Sequence, residues 1–123
     1  MDPRALARQL GHAIKETSEY QAVQAARTKV NEHEAARVML DDFQKRQKEY
    51  GQALIKGKED EGQAEELRKL AEIVGYNPYL RELLSAETRL AELVMSVQRQ
   101  MLEAAGLAEL AAEEELETDE KNG

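Results

Sequence analysis

Apolar residues recur at intervals of three and four along most of the chain, which is the spacing of one face of an α-helix. The longest stripe of this kind lies between residues 78 and 105. Its members are Leu80, Leu83, Glu87, Leu90, Val94, Val97 and Met101, and Glu87 is its one charged residue. Asn77 and Pro78 form a helix start, because Asn caps well and proline is tolerated in a first turn. Gly106 supplies a stop. We predict a helix over 78–105.

A second stripe predicts a long helix over 32–56, and its members are Ala36, Leu40, Phe43, Gln47, Tyr50 and Leu54. Asn31 and Glu34 have the spacing of a capping box at its start. Because the two stripes share one period, we expect the long helices to pack lengthwise as an antiparallel pair at about 20°.

Three shorter helices are predicted around this pair. One begins at Asp2-Pro3, one is capped by Ser18, and one runs from about residue 63 to 74 and is ended by Gly75. The sequence therefore predicts an all-α fold of about five helices in an elongated bundle.

Charge divides the chain into a body and a tail. Residues 103–123 hold eight acidic side chains and one lysine, whereas residues 1–102 hold 17 acidic and 16 basic ones. A block of like charge without aromatic residues stays solvated. We expect a helical domain over 1–106 and an acidic, disordered tail over 107–123.

The composition excludes most catalytic chemistry. The chain has no Cys, so it has no disulfide, thiolate metal site or cysteine nucleophile. His12 and Glu16 are one helical turn apart, but a zinc site needs three or four ligands. Adjacent Asp41 and Asp42 diverge on a helix and do not share a substrate. We expect a non-enzymatic, cytoplasmic protein with no metal and no cofactor; no apolar run approaches the roughly 20 residues that span a bilayer.

The length of the last helix predicts self-association. A helix of roughly 42 Å is too long for its short neighbours to cover, and two-fold dimers are the commonest oligomers. We expect a homodimer whose contact includes Leu83, Leu90, Val94, Val97 or Met101. The alternative is a slim monomer with a partly exposed stripe.

One basic cluster suggests an alternative function. Its members are Lys45, Arg46, Lys48, Lys56 and Lys58. Phosphate contacts by such a face would make the protein a nucleic-acid-associated factor. Acidic residues are interleaved with the cluster, and no aromatic platform apart from Tyr50 accompanies it, which favours a protein partner instead.

Two segments carry a resemblance to a known family. They are SEYQAVQAARTKVNEHEAARVMLDDFQKRQKEY, from 18 to 50, and NPYLRELLSAETRLAELVMSVQRQM, from 77 to 101. The SEY start, the VN pair before a helix, the DDFQKRQ run and the Asn-Pro opening resemble the YlbF/YmcA family of small helical bacterial proteins. The chain is most similar to its uncharacterised, YheA-like branch.

The resemblance implies an all-α antiparallel fold, often a dimer, and no enzymatic activity. Better-known members of the family are adaptors that influence an RNA-degrading enzyme and, through it, competence, sporulation and biofilm formation. Those members are associated with Fe–S clusters held by cysteines. Because this chain has no Cys, the cluster does not carry over, and no functional residue of the family is assigned to a position here.

Overall fold

The computed structural model describes residues 1–110, and these residues form helices and short connections without a strand. The helices are α1 (Pro3–Lys15), α2 (Ser18–Glu32), α3 (Glu34–Lys56), α4 (Glu61–Tyr76) and α5 (Pro78–Ala104). The predicted all-α class is confirmed, and both long helices end within two residues of their predicted bounds. Most of the acidic tail predicted over 107–123 lies outside the described residues.

Side-chain caps set four of the helix starts. The Asp2 carboxylate accepts a hydrogen bond from the Arg4 N–H at 3.2 Å, and the Thr17 hydroxyl accepts one from the Tyr20 N–H. At the start of α4, Asp60 Oδ1 accepts from the Gln63 N–H at 2.7 Å. Asn77 Oδ1 accepts from the first backbone N–H groups of α5 at 3.0 and 3.2 Å. Each cap satisfies a donor that has no partner within its own helix.

Three local predictions of helix ends were wrong. Thr17, not Ser18, caps α2. The capping box at Asn31 is absent because α2 continues to Glu32, and the break falls at His33, which makes no side-chain capping bond. Gly75 does not end α4, which continues for one more residue. The stop is at Asn77, whose backbone is extended because a residue before proline avoids the helical region.

Residues 1–87 form one compact unit with a small core of aliphatic residues and one aromatic residue. Its buried members are Val23, Ala26, Val30, Ala36, Phe43, Val74, Leu80, Leu83 and Ala86. They come from α2, α3, α4 and the first turns of α5, whereas α1 buries no residue. Helix α3 contacts both α2 and α4. The lengthwise pairing of α3 with α5 stays a prediction.

An aromatic contact joins the α2–α3 break to the start of α5. The rings of His33 and Tyr79 stack with their centroids 3.8 Å apart and their planes 20° apart. His33 Nδ1 lies 2.7 Å from the Lys29 carbonyl oxygen, so this nitrogen carries the proton and donates it. The contact fixes the ring of Tyr79 one residue after Pro78, where α5 begins.

The other compact unit begins at Thr88 and is described as far as residue 110. It contains the second half of α5 and the turn at Gly106, whose φ of 77° is in the left-handed region that favours glycine. This confirms the predicted stop. None of the residues from 88 to 110 is fully buried. The single domain predicted over 1–106 stays a prediction.

Leu80→Ala should lower the free energy of unfolding by about 2–5 kcal/mol, because Leu80 is fully buried and its truncation leaves a cavity. Ile55→Ala is the matched control, since Ile55 is 87% exposed. Chemical denaturation monitored by circular dichroism measures both. Equal midpoints for the two variants would contradict the core assignment.

Tyr79→Leu should lower the free energy of unfolding by roughly 0.5–1.5 kcal/mol through loss of the stacking on His33. Tyr76→Leu controls for the chemistry of the substitution, because Tyr76 is 84% exposed. Thermal unfolding of both variants checks this expectation. A Tyr79→Leu protein as stable as the Tyr76→Leu protein would show that the stacked pair contributes nothing.

Truncation after Gly106 should leave the helical content and the melting temperature unchanged. Residues 107–123 are rich in acidic side chains and cannot bury much apolar surface. Leu107 and Leu110 are each 47% exposed, which agrees with this expectation for the first part of the segment. A fall of the melting temperature in the truncated chain would show instead that the segment packs on the helices.

Candidate protein-interaction surface

The structure separates the five residues that were predicted to lie in a dimer contact. Leu83 is 2% exposed and belongs to the core of its own chain. Leu90 and Val97 are half-buried, whereas Val94 and Met101 are 41% and 54% exposed. Of the five, only Val94 and Met101 are therefore exposed on the surface of the second half of α5.

The charged side chains of this half of α5 all lie on one side. Between residues 88 and 105 they are Arg89, Glu92, Arg99 and Glu103. At about 100° per residue, they fall within a sector of roughly 80° on the helical wheel.

The opposite side carries no charge. A sector of roughly 120° holds seven residues that we call the neutral face: Ala91, Val94, Met95, Gln98, Met101, Leu102 and Ala105. The first six belong to α5, and Ala105 directly follows it with its N–H bonded to the Met101 carbonyl oxygen at 3.0 Å. Leu102 is half-buried and the other six are exposed.

This composition suits the neutral face for contact with another protein. Exposed apolar residues that adjoin one another on a helix mark interaction sites, unlike single apolar residues scattered over a surface. Met95 and Met101 are 40% and 54% exposed, and flexible methionine side chains adapt to the shape of a partner. Of these seven residues, the predicted stripe contains only Val94 and Met101 and leaves out the other five: Ala91, Met95, Gln98, Leu102 and Ala105. The positions of the four charges, which the sequence already contains, would have indicated them.

The basic cluster, which lies on α3 except for Lys58 just after it, is accompanied by acidic residues. Arg46 bonds to the Asp42 carboxylate at 3.2 Å and to the Glu66 carboxylate of α4 at 3.1 Å. The pKa of Arg46 is raised, chiefly by the hydrogen bond from its guanidinium to Asp42. The lysines of the cluster are exposed, but Asp41, Asp42 and Glu49 lie between or beside them on the same helix. The cluster is therefore an exposed surface of mixed charge.

A second pair of this kind lies on α4. Arg68 donates to Glu65 at 2.6 Å, and this hydrogen bond is the main cause of the lowered pKa of Glu65. Both side chains are largely exposed, so the pair contributes little to stability.

Glu87, the polar residue within the α5 stripe, finds its partner on another helix. Its carboxylate lies 3.8 Å from the Arg27 guanidinium of α2, and its side chain is 40% exposed. The pair joins α2 to α5 near the end of the first unit. Both side chains of the pair are partly exposed, so Glu87 is a solvated residue within the stripe and not half of a buried ion pair.

The cleft between α3 and α4 is lined by Arg46, Glu49, Tyr50, Gln63, Glu66 and Leu67, a set without a nucleophile and base pair. Gln63 Oε1 is buried there without a hydrogen-bond partner among the described residues. His12 and Glu16 are exposed, and residues 1–110 contain no group of acidic, His or Cys side chains that could hold a metal ion.

No helix within residues 1–110 is both long and apolar enough to cross a membrane.

The family described as "Control of competence regulator ComK, YlbF/YmcA" matches residues 4–104 of this chain. The chain belongs to this family, which confirms the resemblance in its sequence.

Several uncharacterised bacterial relatives are similar to the chain over most of its length. A UPF0342 protein of Symbiobacterium thermophilum is 38% identical over 99 residues, which cover 80% of this chain and 88% of that protein. UPF0342 proteins of Desulfitobacterium hafniense and Caldicellulosiruptor bescii are 35% and 34% identical; the matches cover 80% and 76% of this chain and 80% of each relative. No solved structure matches the chain.

Proposed function

We propose that this protein is a non-enzymatic adaptor or regulator of the cytoplasm that acts by docking to other proteins. The observation that carries the proposal is the neutral face of α5, an exposed uncharged surface on a chain in which 34% of the residues are charged. Exposure of such a surface to water is unfavourable in free energy, and binding of another protein removes the surface from water.

Membership of the family supports a regulatory role. The family is linked to control of the competence regulator ComK. By analogy with the adaptors of the family, this chain would contribute to a complex that affects RNA turnover, competence, sporulation or biofilm formation. The absence of Cys separates it from the members associated with Fe–S clusters.

We also propose that the chain forms a two-fold homodimer through the second half of α5. Val94 and Met101, two of the residues predicted for this contact, are exposed on the neutral face. A face without charge meets its own copy without like-charge repulsion, and association removes its apolar side chains from water. Leu90 and Val97 lie beside the face and would be at the margin of the contact. Leu83 is left out because it is buried in its own chain.

Met101→Glu should shift the dimer toward monomer, because the new carboxylate would be desolvated in the contact. The helical content should be retained, since Met101 is 54% exposed in the single chain. Gln52→Glu, which adds the same charge at an exposed position of α3, is the control. Sedimentation of the three proteins at tens of micromolar decides the matter. Wild-type protein that sediments as a monomer would contradict the dimer.

The docking function is tested by comparing the same three proteins as baits in the native cytoplasm. Partners identified by mass spectrometry should be retained by the wild type and by Gln52→Glu and reduced with Met101→Glu. Equal recovery with all three baits would show that partners bind elsewhere. A salt-sensitive shift of RNA by the purified protein would favour the lysines of α3 as the binding surface instead.

A further inference from the structure

Helix α1 separates its apolar and its basic residues onto opposite sides. At about 100° per residue, six apolar residues fall within a sector of roughly 120°. They form the apolar side of α1: Pro3, Leu6, Ala7, Leu10, Ala13 and Ile14. The basic side is a sector of roughly 80° that holds Arg4, Arg8, His12 and Lys15. The centres of the two sectors are about 160° apart on the helical wheel.

The apolar side of α1 is open to the surroundings. Helix α1 contacts α2, but none of its own residues is buried. Leu6 and Leu10 are 43% and 38% exposed, and Ile14 is half-buried. The end of the helix is nevertheless held in place, because the Thr17 hydroxyl donates to the Ile14 carbonyl oxygen at 2.6 Å. The first unit therefore presents a preformed helix whose apolar side is available for a further contact.

The charge of α1 has a single sign. Among the helices α1 to α5, only α1 contains no acidic residue. Its cations Arg4, Arg8 and Lys15 are exposed, and none of them belongs to an ion pair among residues 1–110. Charges more than roughly 8 Å away are largely screened at physiological ionic strength. A surface close to α1 is therefore attracted or repelled by this local excess of positive charge more than by the net charge of -8.

A bilayer that contains anionic lipids is the partner that would contact both sides of this helix. Helices of this kind lie in the membrane interface, with the apolar side among the acyl chains and long basic side chains extended to the headgroups. A nucleic acid would contact the basic side alone and leave Leu6 and Leu10 in water. Nor does α1 contain a Phe, Tyr or Trp on which bases could stack.

The small size of the apolar side chains also favours a bilayer over a protein groove. Recognition of a helix in a groove depends on a few large anchors that fill matching pockets, and aromatic side chains are frequent among them. The apolar side of α1 has leucine, isoleucine, alanine and proline only. A fluid bilayer accepts such side chains because it needs no matching shape.

We propose that α1 binds peripherally to the surface of membranes that contain anionic lipids. Such binding differs from spanning a bilayer, for which roughly 20 apolar residues are needed. Since α1 has only 13 residues, the binding is weak and reversible, and the protein divides between the cytoplasm and the membrane surface. The inference does not involve the neutral face of α5, so its failure would leave the proposed docking function standing.

Binding is measured by cosedimentation of the full-length chain with vesicles. The protein should bind vesicles of phosphatidylcholine and phosphatidylglycerol in equal parts and should not bind vesicles of phosphatidylcholine alone. Salt at about 0.5 M should weaken the binding, because it screens the charges. The double variant Arg4→Gln and Arg8→Gln should bind roughly 25-fold more weakly, since each basic residue near an anionic surface contributes a factor of about five.

The matched control is the double variant Arg37→Gln and Arg81→Gln. It removes the same charge from two exposed arginines of α3 and α5 and should bind like the wild type. Absence of binding by the wild type to the anionic vesicles would overturn the inference, as would equal binding by the two double variants. Binding of RNA but not of vesicles, lost in the Arg4 and Arg8 variant, would assign the basic side to a nucleic acid instead.

Tryptophan fluorescence tests whether the apolar side inserts, because the chain has no Trp of its own. Leu10→Trp, on the apolar side, should emit at shorter wavelength when the anionic vesicles are added, since its indole leaves water for the acyl boundary. His12→Trp, on the basic side, is the control and should keep its emission wavelength. Circular dichroism should show wild-type helicity for both variants, as both positions are exposed. An unchanged emission of Leu10→Trp in protein that cosediments with the vesicles would show that α1 does not insert and would overturn the inference.

Discussion

The packing of α2 against the first turns of α5 is the constraint on which the first unit depends. Val23, Ala26 and Val30 of α2 are buried, as are Leu80, Leu83 and Ala86 of α5. The Arg27–Glu87 pair joins these two helices, and the His33–Tyr79 stack joins the residue after α2 to the first turn of α5. Alanines among these residues let the backbones approach, and branched side chains fill the remaining space. The fully buried residues of α5 end at Ala86, and within the part of the chain that the structure describes no later residue of this helix is fully buried.

The sequence predicts the helices well and some of their ends poorly, for a physical reason. Amphipathic spacing extends over many residues and survives local exceptions, which explains why α3 and α5 were predicted nearly to the residue. A helix end depends on single backbone conformations. Gly75 permits a stop without requiring one, whereas Pro78 restricts Asn77 to an extended conformation and thereby ends α4. In the same way, the predicted capping box would have ended α2 before Asn31. Val30 is only 1% exposed, and α2 instead continues through Asn31 to Glu32.

The candidate surface was only partly predictable, because the spacing of apolar residues does not show whether they are buried in their own chain or exposed. Leu83 and Met101 have the same heptad-like spacing, yet one is buried in its own chain and the other is 54% exposed. Burial depends on which neighbours reach each turn of α5, and this is a tertiary property. The charges carry information of a different kind. A charged side chain stays in water, so the side of a helix that lacks charge shows where water can be excluded, whichever molecule excludes it.

Charge distribution therefore connects the fold to the proposed docking role. On α3 and α4, acidic and basic residues are interleaved, and the Arg46–Glu66 pair lies in water, where such pairs neither stabilise the fold much nor attract a strongly charged partner. On the second half of α5, the same two kinds of charge are gathered on one side. The side of this segment that lacks charge can therefore be covered by another protein without the desolvation of an ionised side chain, whereas covering α3 or α4 would desolvate charges of both signs.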